Sequence, residues 1–412
     1  MTIIGSDRVI DVTRAAAIVA CIGLLYSPTV ATIGLITAYV AFVVSGQALR
    51  RTKQIINRPL SYCGMVFVGF VLLGMTYATV PWFDRWYDVY KWRTILWFFV
   101  ILAVFEDEQW KHRLLISFVM GTGVGVIGSF AMAAGWVTLW RNPNELLRNS
   151  GTQGMAFSAA ALVCVWMVRN RKLCGWGPWL WATLAVIYIA NVVFITDSRS
   201  GYAVLILGLG VLFSWQGSWK RSAVVFGILL MVSLVALSVS PRMQSKVDKA
   251  VNEWNNESEL QILTSFGIRR VFATNTMEII REHWLLGLGT GGFPQAYREH
   301  ITGKYSPADW RAIATGDPHN QYLAIFVEHG IGGLLIFLGW LLAIGLDCRG
   351  PPVYRSLAVA LLAGWCITSL FSSHFRTFAE GHLFATFLGV LLAGNVRPDE
   401  SQVAAASSLE KA

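Results

Sequence analysis

About twelve stretches of the chain are apolar and close to the length that crosses a bilayer, at roughly 8–26, 29–48, 61–80, 92–106, 113–135, 155–169, 177–195, 201–215, 222–240, 320–346, 355–372 and 382–396. A hydrocarbon core of ~30 Å takes about 20 helical residues, and inside it only helices and closed barrels satisfy every backbone amide. Composition agrees, with 55% of the 412 residues hydrophobic and 14% charged. The expected fold class is all-α, a polytopic integral membrane protein of about 12 transmembrane helices. Its segments are 1–240, with about nine spans; 241–318, a long outer loop; 319–396, with about three spans; and 397–412, a polar cytoplasmic tail.

With the N-terminus inside, the inner connections collect Arg50, Arg51, Lys53, Arg58, Lys111, Arg113, Arg169, Arg171, Lys172, Lys220, Arg221, Arg349 and Arg355. The positive-inside rule supports that orientation, and it accounts for most of the formal charge of +9, so nucleic-acid binding is not expected. The first span lacks a clear small-residue cleavage site and reads as its own anchor. Cys21, Cys63, Cys164 and Cys366 fall in or beside spans, and Cys174 and Cys348 in inner connections. That distribution argues against a disulfide framework on the oxidising side, and no pair has metal-site spacing.

An outer loop this long is expected to hold structure of its own. Met243, Val247, Val251 and Trp254 recur at helical spacing, which places them on one face of a surface helix, either a packed lid or a substrate-contacting element. A second helix is expected from Phe266 to Trp284. The run Leu286-Gly287-Leu288-Gly289-Thr290-Gly291-Gly292-Phe293 follows it. A dinucleotide fingerprint needs a preceding strand, and here a helix precedes. Gly289, Gly291 and Gly292 therefore either shape a polar pocket or make a helix stop with tight turns.

Guanidinium groups bind phosphate bidentately and stay charged, which makes the outer-face arginines informative. Arg199 sits in the very short turn Thr196–Ser200, and Arg269 and Arg270 open the second outer helix. Bland alternatives are an interfacial anchor or Asp197 partner for Arg199, and a solvated helix start for the pair. His319 stands where the loop becomes a span. It is either a capping residue, a task open equally to Asp317 and Asn320, or a general base. Together these groups suit a phosphate-bearing lipid. Arg148, Arg376 and Glu380 on outer turns, with Asn320, are further candidates for holding sugar or phosphate, and Tyr297, Tyr305 and Trp310 for stacking on glycan rings. His283, His300, His329, His374 and His382 have weaker claims. No acidic cluster has metal spacing, so neither metal nor cofactor is expected. The competing class is a transporter or channel, which usually places ionisable residues or broken helices at mid-membrane depth, whereas these spans are nearly free of charge at their centres.

The motifs and their order resemble the bacterial O-antigen ligases, within the wider group of O-antigen polymerases and protein O-oligosaccharyltransferases. The resemblance rests on Ser198-Arg199-Ser200-Gly201, on Gly267-Ile268-Arg269, on the run from Ile280 through Phe293, and on Asp317-Pro318-His319-Asn320-Gln321-Tyr322-Leu323. It covers roughly 190–345 closely. Trp284, where proline is often found, and Ala273, where an aromatic is common, depart from the pattern. The resemblance implies a GT-C-like glycosyltransferase architecture in the bacterial inner membrane with its active site facing the periplasm. It implies glycan transfer from undecaprenyl pyrophosphate to the lipid A–core oligosaccharide in lipopolysaccharide biosynthesis, with membrane lipids around the protein. In that scheme Arg199, Arg269 and Arg270 bind the pyrophosphate, and His319 accepts or orients the acceptor proton in an inverting displacement. A polymerase or a protein transferase using the same donor is the nearest alternative.

Overall fold

The computed structural model describes residues 3–138, 145–170, 177–215, 217–239, 244, 245, 248, 251, 265–347 and 349–394. Among them every regular element is a helix and there is no strand. The helices are α1 (Ile3–Tyr26), α2 (Pro28–Val44), α3 (Ala48–Ile56), α4 (Pro59–Tyr77), α5 (Trp82–Lys91), α6 (Arg93–Val104), α7 (Glu108–Ala133), α8 (Ser150–Arg169), α9 (Pro178–Phe194), α10 (Arg199–Ser214), α11 (Trp219–Val239), α12 (Ser265–His283), α13 (Phe293–Lys304), α14 (Gln321–Leu346), α15 (Pro352–Thr368) and α16 (Phe378–Leu392).

Every apolar stretch expected from the sequence coincides with a helix. Among the described residues five helices can cross a membrane by length and composition: Asp7–Tyr26 of α1, then α4, α7, α8 and α14. A sixth candidate is α2 with α3, bent by 98° at their junction, and α9, α10, α15 and α16 are shorter apolar helices. Proline within the first two positions opens α2, α4, α9 and α15, where its missing N–H is no loss. The expected surface helix built on Met243, Val247 and Trp254 lies outside the described residues, as do Cys174, Cys348 and the 397–412 tail. The second outer helix is present as α12.

The main core joins α1 to α4 and α6 to α10 with α14, α15 and α16, and α8 is almost wholly buried. Where α8 crosses α10, Gly154 and Gly201 face one another, and a Cβ on Gly201 would stand 2.8 Å from Gly154 Cα. Small residues let the backbones approach that closely. A second, smaller core forms from Phe272, Ile279 and Ile280 of α12, Phe293, Tyr297 and Ile301 of α13, and Val327 of α14.

Charge sits in two separated networks. At one end Arg14 and Arg51 share Glu106 at 3.0 and 2.5 Å, Arg58 pairs with Asp347, and Lys111 donates to the Ala393 carbonyl at 2.7 Å. Arg376 organises the other end. It is 5% exposed and meets Asp317 at 3.1 Å, Glu328 at 3.3 Å and Asp88 at 3.4 Å, with Lys91 adding a second cation on Asp88 at 2.6 Å.

α14 is broken, a feature the hydropathy pattern did not indicate. Gly330 has φ 63° and ψ −169° inside it, and Glu328 and His329 are buried beside the break. The spans are thus not free of ionisable groups. The break falls within about 15 Å of the polar end of the helix, at ~1.5 Å rise per residue. The glycine run repairs the lost ladder. Leu288 N–H donates to Val327 O at 2.9 Å, Gly289 N–H to Glu328 O at 2.8 Å, and Ile331 N–H turns outward to Trp284 O at 2.9 Å. Two chain segments exchange hydrogen bonds, which keeps irregular backbone satisfied at membrane depth.

Candidate functional site

The segment from Asp317 to Tyr322 makes a polar turn whose every residue has a structural or exposed role. An Asp317 oxygen accepts the His319 backbone N–H at 2.6 Å, an Asx-type turn across Pro318. Asn320 caps α14, accepting from Tyr322 N–H at 2.9 Å and Leu323 N–H at 3.1 Å. Gln321 donates its N–H to Ser369 O at 2.8 Å and accepts Phe375 N–H at 3.2 Å on its side-chain oxygen. Tyr322 donates its hydroxyl to Cys366 O at 2.8 Å. Capping therefore falls to Asn320, and His319 has no such task.

His319 has φ 55°, the one positive φ of a non-glycine residue among the described residues. That conformation costs roughly 1–3 kcal/mol and persists where surrounding contacts hold it. Its half-buried ring stacks on Phe272 of the outer core, centroids 5.6 Å apart and planes 13° from parallel. Among the described residues its ring nitrogens make no hydrogen bond.

Asp317 is the anchor of this geometry. Ser373 donates its hydroxyl to it at 2.8 Å and Arg376 pairs with it at 3.1 Å. Burial pushes its pKa upward, but Arg376, the Ser373 hydroxyl and the His319 N–H outweigh that and hold the carboxyl below its usual range. Burial opposes the charge of Arg376 too, yet Asp317, Asp88 and Glu328 raise its pKa above the ordinary guanidinium value. Arg376 is thus enclosed by three carboxylates, and its geometry is that of a positioning residue for the His319 turn rather than of the sugar or phosphate contact expected from sequence.

Arg199 is the first residue of α10, after the cap in which Ser198 accepts Gly201 N–H at 3.0 Å, and its side chain is exposed. Arg269 lies in the first turn and a half of α12, also exposed, and neither arginine has a carboxylate partner among the described residues. The fold brings them together: partial desolvation lowers the pKa of Arg269, and the like charge of Arg199 lowers it further. Two guanidiniums without carboxylate partners on separate elements would favour an anion between them, because an anion removes a repulsion as well as adding hydrogen bonds. Arg270 is exposed next to Arg269. Arg148 is exposed and lies over the Phe378 ring at 5.5 Å, which Arg93 also covers at 5.3 Å.

Other sequence candidates fall into structural work. Gly289 and Gly291 have φ near 80°, and a Cβ on either would meet backbone of the α4 end or of α5 at 2.7 Å. The amides of Gly289 and Thr290 are committed to Glu328 and Gly74 carbonyls, and Gly292 N–H to Gly289 O. This loop is a plug between α4, α5 and the α14 break, so the helix-stop alternative describes it better than a phosphate cradle. Tyr297 is fully buried, edge-on to Phe272 and accepting from Asn275 at 3.1 Å, and Tyr305 donates to the same Asn275 at 3.1 Å. Glu380 is buried and accepts the Thr152 hydroxyl. Among the described residues no group of three or more His, Cys, Asp or Glu side chains is arranged to hold a metal ion.

Sequence reasoning named two groups here without reaching their surroundings. Arg376 links Asp88, Asp317 and Glu328, which are far apart in sequence, so the spacing gave no signal of that role. His374, in the loop after α15, is 6% exposed with both ring nitrogens unpartnered, and only its position in a short outer turn hinted at a role.

Residues 184–338 match the protein-family model described as O-Antigen ligase. No curated protein matches the chain. The matched stretch runs from α9 into α14 and contains Arg199, Arg269, the glycine plug and His319, so this part of the chain is similar to the O-antigen ligase family.

Proposed function

We propose that this chain is a glycosyltransferase of the O-antigen ligase type. It would transfer glycan from undecaprenyl pyrophosphate to the lipid A–core oligosaccharide, working at the periplasmic face of the bacterial inner membrane. The observation that carries this reading is the meeting, at one end of a membrane protein, of an unneutralised arginine pair and a conformationally constrained imidazole with free ring nitrogens. In this reading the bundle has about 12 spans in a GT-C-like arrangement, with the shorter apolar helices completing the crossings.

Arg199 and Arg269, with Arg270 beside them, bind the donor pyrophosphate and stabilise it as it departs. His319 takes the proton of the acceptor hydroxyl as that oxygen attacks the anomeric carbon. The bond from sugar to pyrophosphate breaks as the new glycosidic bond forms, and a single displacement inverts the anomeric centre. No step needs a metal, because the leaving group is already activated and its charge is met by guanidinium.

The test is glycan transfer from undecaprenyl pyrophosphate to rough lipopolysaccharide by purified protein with EDTA present. Wild type should form product, and His319→Ala at matched folding should be slower by about 10²- to 10⁴-fold, the usual span for a general base. Polymerised glycan on the donor lipid, or transfer to protein serine or threonine in place of lipopolysaccharide, would reassign the acceptor. Equal rates in wild type and His319→Ala would remove the base from the mechanism.

A further inference from the structure

His374 occupies an unusual position in this arrangement. Its backbone is fixed, the N–H donating to Ser372 O at 3.0 Å and the carbonyl accepting the Thr377 hydroxyl at 3.2 Å. Its neighbours in the loop are engaged, Ser373 with Asp317 and Arg376 with three carboxylates. The imidazole itself is 6% exposed, and neither nitrogen has a partner. A buried imidazole without hydrogen bonds is costly unless something else completes it. The charged groups acting on it come from three elements: Glu380 of α16, Asp317 of the polar turn and Arg269 of α12. It therefore stands between the anchor of His319 and one arm of the arginine pair.

We propose that His374 is a further ligand of the lipid-borne diphosphate, beside the arginines, donating an imidazole N–H to a phosphate oxygen next to Arg269. The proposal rests on the diphosphate-binding reading given above and names the side chain that completes that site. Glu380 and Asp317 do not accept its N–H, so the donor is open to an anion that Arg269 recruits. In the free protein burial is the largest influence and favours the neutral ring; Glu380 and Asp317 oppose this, Arg269 reinforces it, and the pKa falls below the ordinary value. A bound diphosphate brings negative charge to the ring and reverses that balance. The imidazole then takes one proton from solvent on binding and returns it when the lipid diphosphate leaves, with no covalent change.

The experiment uses the full-length protein in nanodiscs and farnesyl diphosphate, a soluble probe that carries the free diphosphate of the departing lipid. Affinity and proton uptake are measured by titration calorimetry in buffers of different ionisation enthalpy, for wild type, His374→Ala, His374→Gln and Arg269→Ala. Wild type should bind with proton uptake near neutral pH. His374→Ala should bind about tenfold more weakly, as for loss of one charged hydrogen bond, and without that uptake. His374→Gln keeps an N–H donor, so it should recover most of the affinity and none of the proton uptake, with an unliganded melting temperature equal to wild type. If Arg269→Ala weakens binding while both His374 variants bind within about twofold of wild type and still take up the proton, the proposal is overturned and the arginine site stands. Lost affinity in His374→Ala that tracks a lower melting temperature, with His374→Gln like wild type in every respect, also overturns it. If wild type fails to bind, the diphosphate reading falls and this proposal with it.

Discussion

The chemistry proposed for His319 depends on a carboxylate that need not touch substrate. Asp317 holds the left-handed backbone of His319 through a hydrogen bond of 2.6 Å and is itself held by Ser373 and Arg376. Replacement by asparagine separates the two functions, because the amide oxygen can still accept the His319 N–H while the charge is lost. The folded-state pKa of Asp317 is lowered, so its charge contributes stability above the unfolded value near 3.8, and that contribution is lost as pH falls through the lower folded value. Asp317→Asn lacks the contribution at every pH. Thermal unfolding followed from about pH 7 down to about pH 3 should show wild type more stable by about 1–3 kcal/mol at neutral pH, with the difference closing only at the acid end. A constant difference across that range would mean that shape rather than charge holds the turn. None of this was legible in the motif: the sequence placed a histidine beside a helix start, but Asn320 took the cap, and the ion pairs behind Asp317 come from residues after α15.

Among elements, the interlock of α14 with the glycine run is the part that hydropathy could not reveal. The apolar period from Gln321 to Leu346 is that of an uninterrupted span, and Gly330 looks like any other glycine in it. Only the pairing of Leu288, Gly289 and Trp284 with Val327, Glu328 and Ile331 makes the break visible, and those partners lie some 40 residues apart. By contrast α12 was legible because it runs up to the glycine-rich stretch, whose first glycine, Gly287, lies four residues beyond its last residue His283, a local signal. Gly330→Ala forces an L-residue into a conformation that glycine alone adopts readily, and its Cβ would collide with the Leu285 carbonyl. The expected cost is about 3 kcal/mol or more, seen as lost folded yield and a lower melting temperature. Gly303→Ala is the matched control. It lies in α13 with open space around it, and the higher helix propensity of alanine should leave stability unchanged or raise it by about 0.5–1 kcal/mol. Equal tolerance at both positions would show that the break is not a fixed part of the fold.

At the scale of the molecule, the two charge networks give the bundle a direction. One end gathers Arg14 of α1 with Arg51, Arg58 and Lys111 and their carboxylates and carbonyls, the last three from the connections where the cation bias of the sequence lies. The other carries the Arg376 hub, Arg199, Arg269 and His319. The sequence separated these ends by counting cations in loops, and it did so without knowing that several of those cations are buried in ion pairs. The proposed chemistry requires the second end to face the periplasm, because both lipid substrates are presented there. Ala308 is exposed on the His319 side and Arg349 is exposed at the other end, so single cysteines at these two positions report orientation independently. In intact spheroplasts a membrane-impermeant maleimide should label Ala308→Cys, whereas Arg349→Cys should react only after permeabilisation. The native cysteines at 21 and 164 are buried and those at 63 and 366 partly so, and the unmodified chain gives the background that they and Cys174 and Cys348 contribute. The reverse labelling pattern would put Arg199, Arg269 and His319 in the cytoplasm, away from any lipopolysaccharide acceptor. It would leave the arginine site intact as an anion site while removing the ligase reading, since a site that binds a lipid diphosphate can serve other glycan transfers on the inner leaflet.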